Sequence, residues 1–296
     1  MEDFLKIGLI QTTLDPDLAW DLRADSAVQM NAIEGNRIWN EIQKGFYNFS
    51  NETKVNRPQI IILPELTIPL SKEHDLINLS KKVGAVTIAG YDFIDQSTST
   101  VANKALVVVP YDWPNSRFTG RPKTLTFGKT FYSYMEKDFF KIKGKDEYPF
   151  PVMYILDAGK YGKIGVAICS DFFDIERFVV YRGQIHHMVV ISHNQDVKSY
   201  YFLAEAISRL VYCNVIICNT GHYGGSIVFS PYSDEFRRYI YKHEGSNLFT
   251  TQILSVPVKS LNDAQVPGNF KDGVFKAQPP GYKHGHIARA SVTKIL

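Results

Sequence analysis

One short stretch, KIGVAICSDF at residues 163–172, constrains the fold more than any other part of the sequence. After its lysine it continues with five residues that carry no charge, which predicts a strand buried on both faces of a sheet. Cys169 follows directly, and Asp174 can cap a helix over residues 175–184. A thiol on such a turn lies where α/β sheets bind ligands, and helix N-terminal amides there favour a thiolate. Taken alone, the cysteine could equally be an ordinary buried residue.

Two further stretches bear on that alternative. Residues 60–69 form an apolar run that contains a single carboxylate, Glu65. A carboxylate in apolar surroundings has a raised proton affinity, which suits a general base, although a capping or ion-paired role fits as well. Residues 128–144 are polar and rich in aromatic residues, and they contain Lys129 and Glu136. Taken alone, this segment is typical of a solvated loop.

Together the three stretches resemble the nitrilase, or carbon-nitrogen hydrolase, superfamily, whose catalytic Glu, Lys and Cys occur in this chain order. The similarity covers roughly residues 4–256. It implies an αββα four-layer sandwich and a thiol hydrolase of nonpeptide carbon-nitrogen bonds, with a small amide or nitrile as substrate. The catalytic residues would be Glu65, Lys129 and Cys169.

The resemblance also implies a role for each residue. Glu65 would take the thiol proton, and Cys169 would attack the carbonyl carbon to give a thioester. Lys129 and the backbone N–H of Ser170 would face the oxyanion, while Glu136 would orient the lysine or the substrate. These groups supply nucleophile, base and electrophile, so no cofactor is expected.

Two more residues are candidates for substrate binding. His193 and Asn194 follow the apolar run at residues 188–192, which predicts a strand next to the cysteine strand. Side chains at the carboxyl end of that strand would line the same pocket.

The lysine segment departs from the family pattern, because Tyr132 stands where the family has a leucine. Lys123 is therefore an alternative catalytic lysine. Lys129 is preferred because Glu136 then falls at the position of the family's second glutamate, with Phe140 also matching in spacing.

The length and charge of the chain exclude some classes of protein. A chain of 296 residues suits one α/β domain, which we place at residues 1–259, followed by an irregular basic extension at residues 260–296. The net charge of +3 does not indicate a nucleic-acid partner. No apolar run is long enough for a membrane span, and the amino terminus does not resemble a signal peptide, so the cytoplasm is the expected location.

No metal site is expected. The three cysteines have no zinc or disulfide spacing, and Cys213 and Cys218 lie in apolar runs typical of a core. His186 and His187 are adjacent, so on a strand they would point to opposite faces.

The remaining pattern predicts the order βαβαββ in the first half, with helices over residues 25–46 and 71–83, and no regular structure over residues 111–151. A homodimer or higher homo-oligomer is expected through the helices at residues 174–184 and 197–212, because the second is apolar over a wide arc.

Two other functions stay open. An N-acyltransferase of the same fold would pass the acyl group to an amine. A ligand-binding or regulatory module would keep the pocket without turnover, and the atypical lysine segment favours that alternative.

Overall fold

The computed structural model describes residues 1–115, 120–266, 273–282 and, for the backbone, 291–294. The strands, in chain order, are β1 (Phe4–Gln11), β2 (Ile60–Ile62), β3 (Val86–Gly90), β4 (Ile94–Asp95), β5 (Thr100–Ala102), β6 (Lys104–Val109), β7 (Lys123–Gly128), β8 (Asp146–Glu147), β9 (Tyr154–Asp157), β10 (Lys163–Ile168), β11 (His187–Ser192), β12 (Asn214–Asn219), β13 (Ile227–Phe229), β14 (Tyr239–Lys242), β15 (Thr250–Pro257) and β16 (Ser291–Lys294). The α-helices are α1 (Pro16–Ala19), α2 (Ala32–Asn51), α3 (Glu73–Val83), α4 (Tyr134–Ile142), α5 (Ile175–Tyr181), α6 (Val197–Ile207), α7 (Glu235–Arg238) and α8 (Lys259–Gln265).

Two large sheets form the centre of the molecule. The first has the strand order β15-β1-β2-β3-β6-β7 and the second has the order β14-β13-β12-β11-β10-β9-β16. A small third sheet, β4-β5-β8, lies beside them. Within the first sheet β2 is parallel to β1 and β3. Strand β6 is antiparallel to β3, and β7 is antiparallel to β6, so β7 runs in the same direction as β2.

Side-chain alternation along the strands explains the layers. Ile60 and Ile62 of β2 join a core between the two sheets, whereas Ile61 packs on the opposite face among residues of α2 and α3. In β10, Ile164 and Val166 likewise face the other sheet, and the outer face packs against α5 and α6. A strand covered on both faces has to be apolar throughout, as predicted. The architecture is the predicted αββα sandwich.

The six predicted elements of the first half are all present in the predicted order, but α1, β4 and β5 were not predicted, and the predicted start of the first long helix is wrong. Helix α2 begins at Ala32, where the Asn31 side chain accepts a hydrogen bond from the N–H of Ile33. The preceding residues form a loop in which Val28 and Met30 are buried. Because these buried loop residues are apolar, they extended the helix-like pattern to positions before Asn31, the residue that caps the helix.

The prediction that residues 111–151 lack regular structure is also wrong, because the segment contains β7 and α4. Strand β7 lies at the edge of the first sheet and its first residues are exposed, so its polar sequence KTLTFG carries no strong strand signal. Helix α4 begins with a capping box between Ser133 and Glu136.

The predicted irregular extension contains regular elements as well. Helix α8 buries Leu261, Phe275 joins the same cluster, and β16 pairs in parallel with β9 at the edge of the second sheet. Residues 267–272, 283–290, 295 and 296 of this extension lie outside the described residues. No helix in the described part of the chain has the length and apolar character needed to cross a membrane.

Candidate active site

The carboxyl ends of four strands bring the candidate residues together. Glu65 lies three residues after β2, Lys129 follows β7, Cys169 follows β10 and His193 follows β11. Strands β2 and β7 run in the same direction in the first sheet, and β10 and β11 are parallel in the second. The site therefore lies at one end of the sandwich and is built by both sheets.

The turn that carries Glu65 passes very close to the end of β3. Gly90 donates its N–H to the Pro64 carbonyl at 3.1 Å, and a Cβ atom at Gly90 would lie 2.5 Å from the Glu65 Cα atom. Any side chain at position 90 would therefore displace the Glu65 turn. Leu66, the next residue, has a left-handed backbone with φ of 58°, which completes the sharp turn.

The Lys129 ammonium group lies between two carboxylates. Its Nζ atom is 2.7 Å from Glu65 Oε1 and 2.6 Å from Glu136 Oε2, and the lysine is fully buried. Glu136 is held in place by the start of α4, where Ser133 donates its N–H to Glu136 Oε2 at 2.8 Å. One carboxylate thus caps a helix and fixes the lysine at the same time.

Asn103 links the same two carboxylates, and the sequence analysis missed it. Its Nδ2 atom donates to Glu65 Oε1 at 2.7 Å and to Glu136 Oε1 at 2.9 Å, and its carbonyl accepts from the Lys129 N–H at 2.9 Å. The residue directly precedes β6, opposite Lys129 in the β6–β7 hairpin. Only a correct prediction of β7 would have revealed this pairing.

Cys169 occupies a strained position between β10 and a 3₁₀ turn, Cys169–Phe173. Its φ of 46° is unusual for a residue with a side chain and turns the thiol toward the site. The Tyr200 hydroxyl donates to Cys169 Sγ at 3.5 Å, and Glu65 lies close enough for its charge to act on the thiol. A side chain of α6 therefore contacts the sulfur, and a carboxylate that follows β2 lies near it.

The expectation that a helix N-terminus favours a thiolate at Cys169 is wrong. Helix α5 begins only at Ile175, where Asp174 caps it as predicted. Burial raises the pKa of the Cys169 thiol to about 12, and the Glu65 charge acts in the same direction. The resting group is a neutral thiol, so thiolate formation requires a base.

The charges in the cluster assign different roles to the two glutamates. Burial raises the pKa of Glu65 above its ordinary value, against the opposing effect of Lys129. Burial also acts to raise the pKa of Glu136, but the charge and hydrogen bond of Lys129 bring it below the ordinary value. For Lys129, burial acts to lower the pKa, and the two carboxylates raise it well above the ordinary value. Glu136 is thus the standing counter-ion of the lysine, and Glu65 is the carboxylate with higher proton affinity.

The loop after Cys169 also holds the loop after Lys129. Asp171 Oδ1 accepts from the N–H groups of Thr130 at 3.0 Å and Phe131 at 2.8 Å. The Ser170 hydroxyl donates to the Phe131 carbonyl. These bonds tie the Cys169 loop to the Lys129 loop, so the Ser170 side chain holds the two loops together.

His193 contacts the cluster through its backbone, donating its N–H to Glu65 Oε2 at 2.9 Å. Its ring packs edge-on against Trp20 at 5.8 Å and Tyr223 at 5.3 Å between centroids. Burial lowers the pKa of the imidazole to about 3, so the ring is neutral near pH 7. Both ring nitrogens are buried and without a hydrogen-bond partner among the described residues.

Asn194 bonds within its own loop and to the end of the neighbouring strand β12. Its Oδ1 atom accepts from the Asp196 N–H at 3.0 Å, and its backbone N–H donates to Asn219 Oδ1 at 2.9 Å. A substrate contact by Asn194 stays a prediction, and this turn gives it no support.

The other sequence candidates lie away from the cluster. Lys123 is the exposed first residue of β7, at the opposite end of that strand from Lys129. Cys213 and Cys218 are free and fully buried in the core, as predicted. His187 is buried and its Nε2 atom lies 3.0 Å from the Tyr161 carbonyl oxygen. Among the described residues no group of three or more His, Cys, Asp or Glu could hold a metal ion.

Comparison with known proteins identifies the fold. No protein-family model and no curated protein matches this sequence. Solved structures do: an amidase from Nesterenkonia sp. matches with a TM-score of 0.60 and 12% identity, over 89% of this chain and 94% of that chain. A CN-hydrolase superfamily protein from Xanthomonas campestris, with an arsenic adduct in its active site, matches with a TM-score of 0.59 and 12% identity, over 88% and 93%.

A third match is a mutant of the Nesterenkonia sp. AN1 amidase that carries the acetamide moiety of fluoroacetamide on its active-site cysteine. Its TM-score is 0.60 at 12% identity, and the match covers 86% of this chain and 90% of that chain. At such identities the likeness establishes the fold and leaves the chemistry to the residues of this chain. The αββα sandwich described here is therefore the fold of the carbon-nitrogen hydrolases.

Proposed function

We propose that the protein is a thiol hydrolase that cleaves a nonpeptide carbon-nitrogen bond, with a small amide as substrate. One observation carries the proposal: the buried Glu65 carboxylate is 2.7 Å from the Lys129 ammonium and close enough to the buried Cys169 thiol for its charge to raise the pKa of that thiol. The proposed nucleophile, base and electrophile are thus adjacent in a buried site, where each charge acts strongly.

The first half-reaction forms a thioester. Glu65 takes the thiol proton as Cys169 Sγ attacks the amide carbon, and the carbonyl electron pair moves to oxygen. Lys129 and the Ser170 N–H stabilise this oxyanion. When the tetrahedral intermediate collapses, the carbon-nitrogen bond breaks and Glu65 gives its proton to the leaving nitrogen, which departs as ammonia or an amine.

The second half-reaction uses the same carboxylate. Glu65 takes a proton from water, whose oxygen attacks the thioester carbon. The carbon-sulfur bond then breaks, and the proton on Glu65 returns to the departing sulfur of Cys169. Glu136 keeps Lys129 charged and oriented throughout, which follows from its low proton affinity beside the lysine. Every proton is accounted for by these residues and the water.

The substrate is proposed to have an uncharged acyl part. The neutral His193 ring and the aromatic rings of Trp20 and Tyr223 offer no charge to bind a carboxylate on that part. One structure of the Nesterenkonia sp. AN1 amidase contains butyramide, which is a compound of this kind. Nitriles stay a second substrate class for the same nucleophile.

The test is release of ammonia from a panel of short amides, with Cys169→Ala as the inactive control. Turnover that depends on Cys169 supports the hydrolase. Turnover that rises when an amine acceptor is added would support the N-acyltransferase instead. If no amide or nitrile reacts and ligands still bind, the regulatory-module alternative is correct.

We also propose a homodimer. On α5 and α6 the apolar side chains of Ile175, Val179 and Phe202 are exposed, as is Leu210 after α6. Only part of the wide apolar arc predicted for residues 197–212 faces outward, because Tyr200 and Tyr212 of the same segment are buried within the chain. The three free cysteines agree with a reducing compartment, and we propose a cytoplasmic location. Residues 1–259 are proposed as the catalytic domain.

A further inference from the structure

Tyr200 is a second group that contacts the nucleophilic sulfur. It lies in the first turns of α6, and its hydroxyl donates to Cys169 Sγ at 3.5 Å. The side chain is only 2% exposed. The sequence alone does not single out Tyr200, because on an apolar helix a tyrosine whose hydroxyl reaches a functional group cannot be distinguished from one that only packs.

The ring is held in this orientation by the cysteine turn itself. Phe172 packs against it at 5.6 Å and Phe173 packs edge-on at 5.6 Å, both measured between ring centroids. Tyr200 and Cys169 therefore keep their relative positions through contacts within one small unit. Burial raises the pKa of the Tyr200 phenol well above its ordinary value, so the group stays a hydrogen-bond donor at working pH.

The sulfur needs such a donor. Burial in apolar surroundings opposes a negative charge on Cys169. The positive charge of Lys129 acts on the thiol, but its ammonium group is also paired with Glu65 and Glu136. Once Glu65 has taken the thiol proton, an uncharged donor that already faces the sulfur adds to the stabilisation that the protonated carboxyl and the lysine provide.

We propose that Tyr200 is a catalytic residue that stabilises the Cys169 thiolate by donating its phenolic hydrogen bond to the sulfur. The inference rests on the proposed function only in taking Cys169 as the nucleophile. The phenol keeps its proton throughout: the bond to a neutral thiol becomes a charge-assisted bond when the thiolate forms. It acts again in the second half-reaction, when the sulfur leaves the thioester carbon with its electron pair.

The test measures the sulfur directly and needs no substrate. The rate of Cys169 alkylation by iodoacetamide is followed across pH by mass spectrometry in the full-length protein and in Tyr200→Phe. A hydrogen bond to a charged acceptor is worth roughly a tenfold or larger change in equilibrium, so we expect the alkylation midpoint to move up by about one pH unit or more. The rate near neutral pH should fall by about tenfold.

The matched control is Tyr201→Phe. This neighbour on α6 also loses a hydroxyl, but its hydroxyl donates to the His243 carbonyl at 2.9 Å. It should leave the Cys169 profile unchanged. An opposite perturbation, 3-fluorotyrosine at position 200, keeps the ring and provides a more acidic donor, so it should move the midpoint down. It also tests the proposal if Tyr200→Phe does not fold.

A folded Tyr200→Phe variant with the wild-type midpoint would overturn the proposal, and so would a fluorotyrosine variant with no shift. Failure of the proposed function gives a different result. If the wild type releases no ammonia from any amide but the midpoints move as expected, the role of Tyr200 at the thiol stands and the hydrolase assignment falls.

Discussion

Replacing Lys129 with methionine tests the buried cluster most directly. The substitution keeps most of the side-chain volume but removes the ammonium group that Glu65 and Glu136 share at 2.7 and 2.6 Å. It should therefore reduce both the stability of the protein and the rate of amide hydrolysis, for separable reasons.

The size of each effect follows from the contacts. Breaking a buried ion pair by removing one partner costs about 3–5 kcal/mol of unfolding free energy. We expect the lower end, because Glu65 can relieve the remaining like-charge repulsion by taking up a proton. Loss of an oxyanion donor lowers kcat by about 100-fold or more. A Lys129→Met, Glu136→Gln double variant removes one of the two unpaired carboxylates, so it should recover about half of the lost stability while staying inactive.

The assay pairs urea unfolding with ammonia release, and Lys123→Met is the matched control. Lys123 is exposed at the far end of β7, about 20 Å along the strand from Lys129. A surface substitution of this kind should change the unfolding free energy by no more than about 0.5 kcal/mol. It should leave turnover unchanged.

Two results would refute this reasoning. A Lys129→Met protein as stable as the wild type would mean that the lysine is not paired with the carboxylates in solution. Equal loss of turnover in Lys123→Met would return the catalytic role to that lysine.

Further predictions can be checked separately. Iodoacetamide should modify Cys169 before the two core cysteines, which are fully buried, and faster labelling of either core thiol would contradict the assignment. Burial lowers the pKa of His187 to about 3 in the folded protein. As the pH falls below 6.5, the imidazole of the unfolded chain therefore takes up a proton while that of the folded protein stays neutral. Relative to His187→Gln, the wild type should therefore lose about 2 kcal/mol of unfolding free energy between pH 7 and pH 5 in urea titrations. If the difference in unfolding free energy between the two proteins is the same at both pH values, His187 does not couple stability to pH. Gly90→Ala should lower turnover at least tenfold, because its Cβ would displace the Glu65 turn; full activity would show that the turn can adapt. Sedimentation should give twice the 33.7 kDa chain mass for the wild type and the single mass for Phe202→Asp, and a wild-type monomer would rule out the proposed interface.

The sequence was most informative where burial leaves few choices. Strands β2 and β10 lie between two packed layers, so their uninterrupted apolar runs were sufficient to predict them. Lys129 was preferred over Lys123 because the family resemblance then places Glu136 at the second glutamate, and it is Lys129 that lies buried beside Glu65. Strand β7 was missed because an edge strand with exposed residues needs no such pattern.

Groups whose role depends on contacts between distant elements could not be predicted. Asn103 precedes an ordinary strand, and only its position across a hairpin shows that it bonds two glutamates. Tyr200 belongs to a helix with many aromatic residues, and only the packing of α6 brings its hydroxyl to the sulfur. The neutral state of Cys169 likewise depends on how completely it is buried, which a local motif does not reveal.

Because the site is built across the two sheets, catalysis should report on folding of the whole domain. Glu65 follows a strand of the first sheet, yet one of its oxygens accepts a hydrogen bond from the N–H of His193, which follows a strand of the second sheet, and its charge acts on the Cys169 thiol of that same sheet. A folding intermediate with only one sheet formed would hold either the proposed base or the proposed nucleophile, and we expect that it could not turn over substrate. Loss of activity in denaturant should therefore coincide with the loss of secondary structure, as in a single cooperative transition.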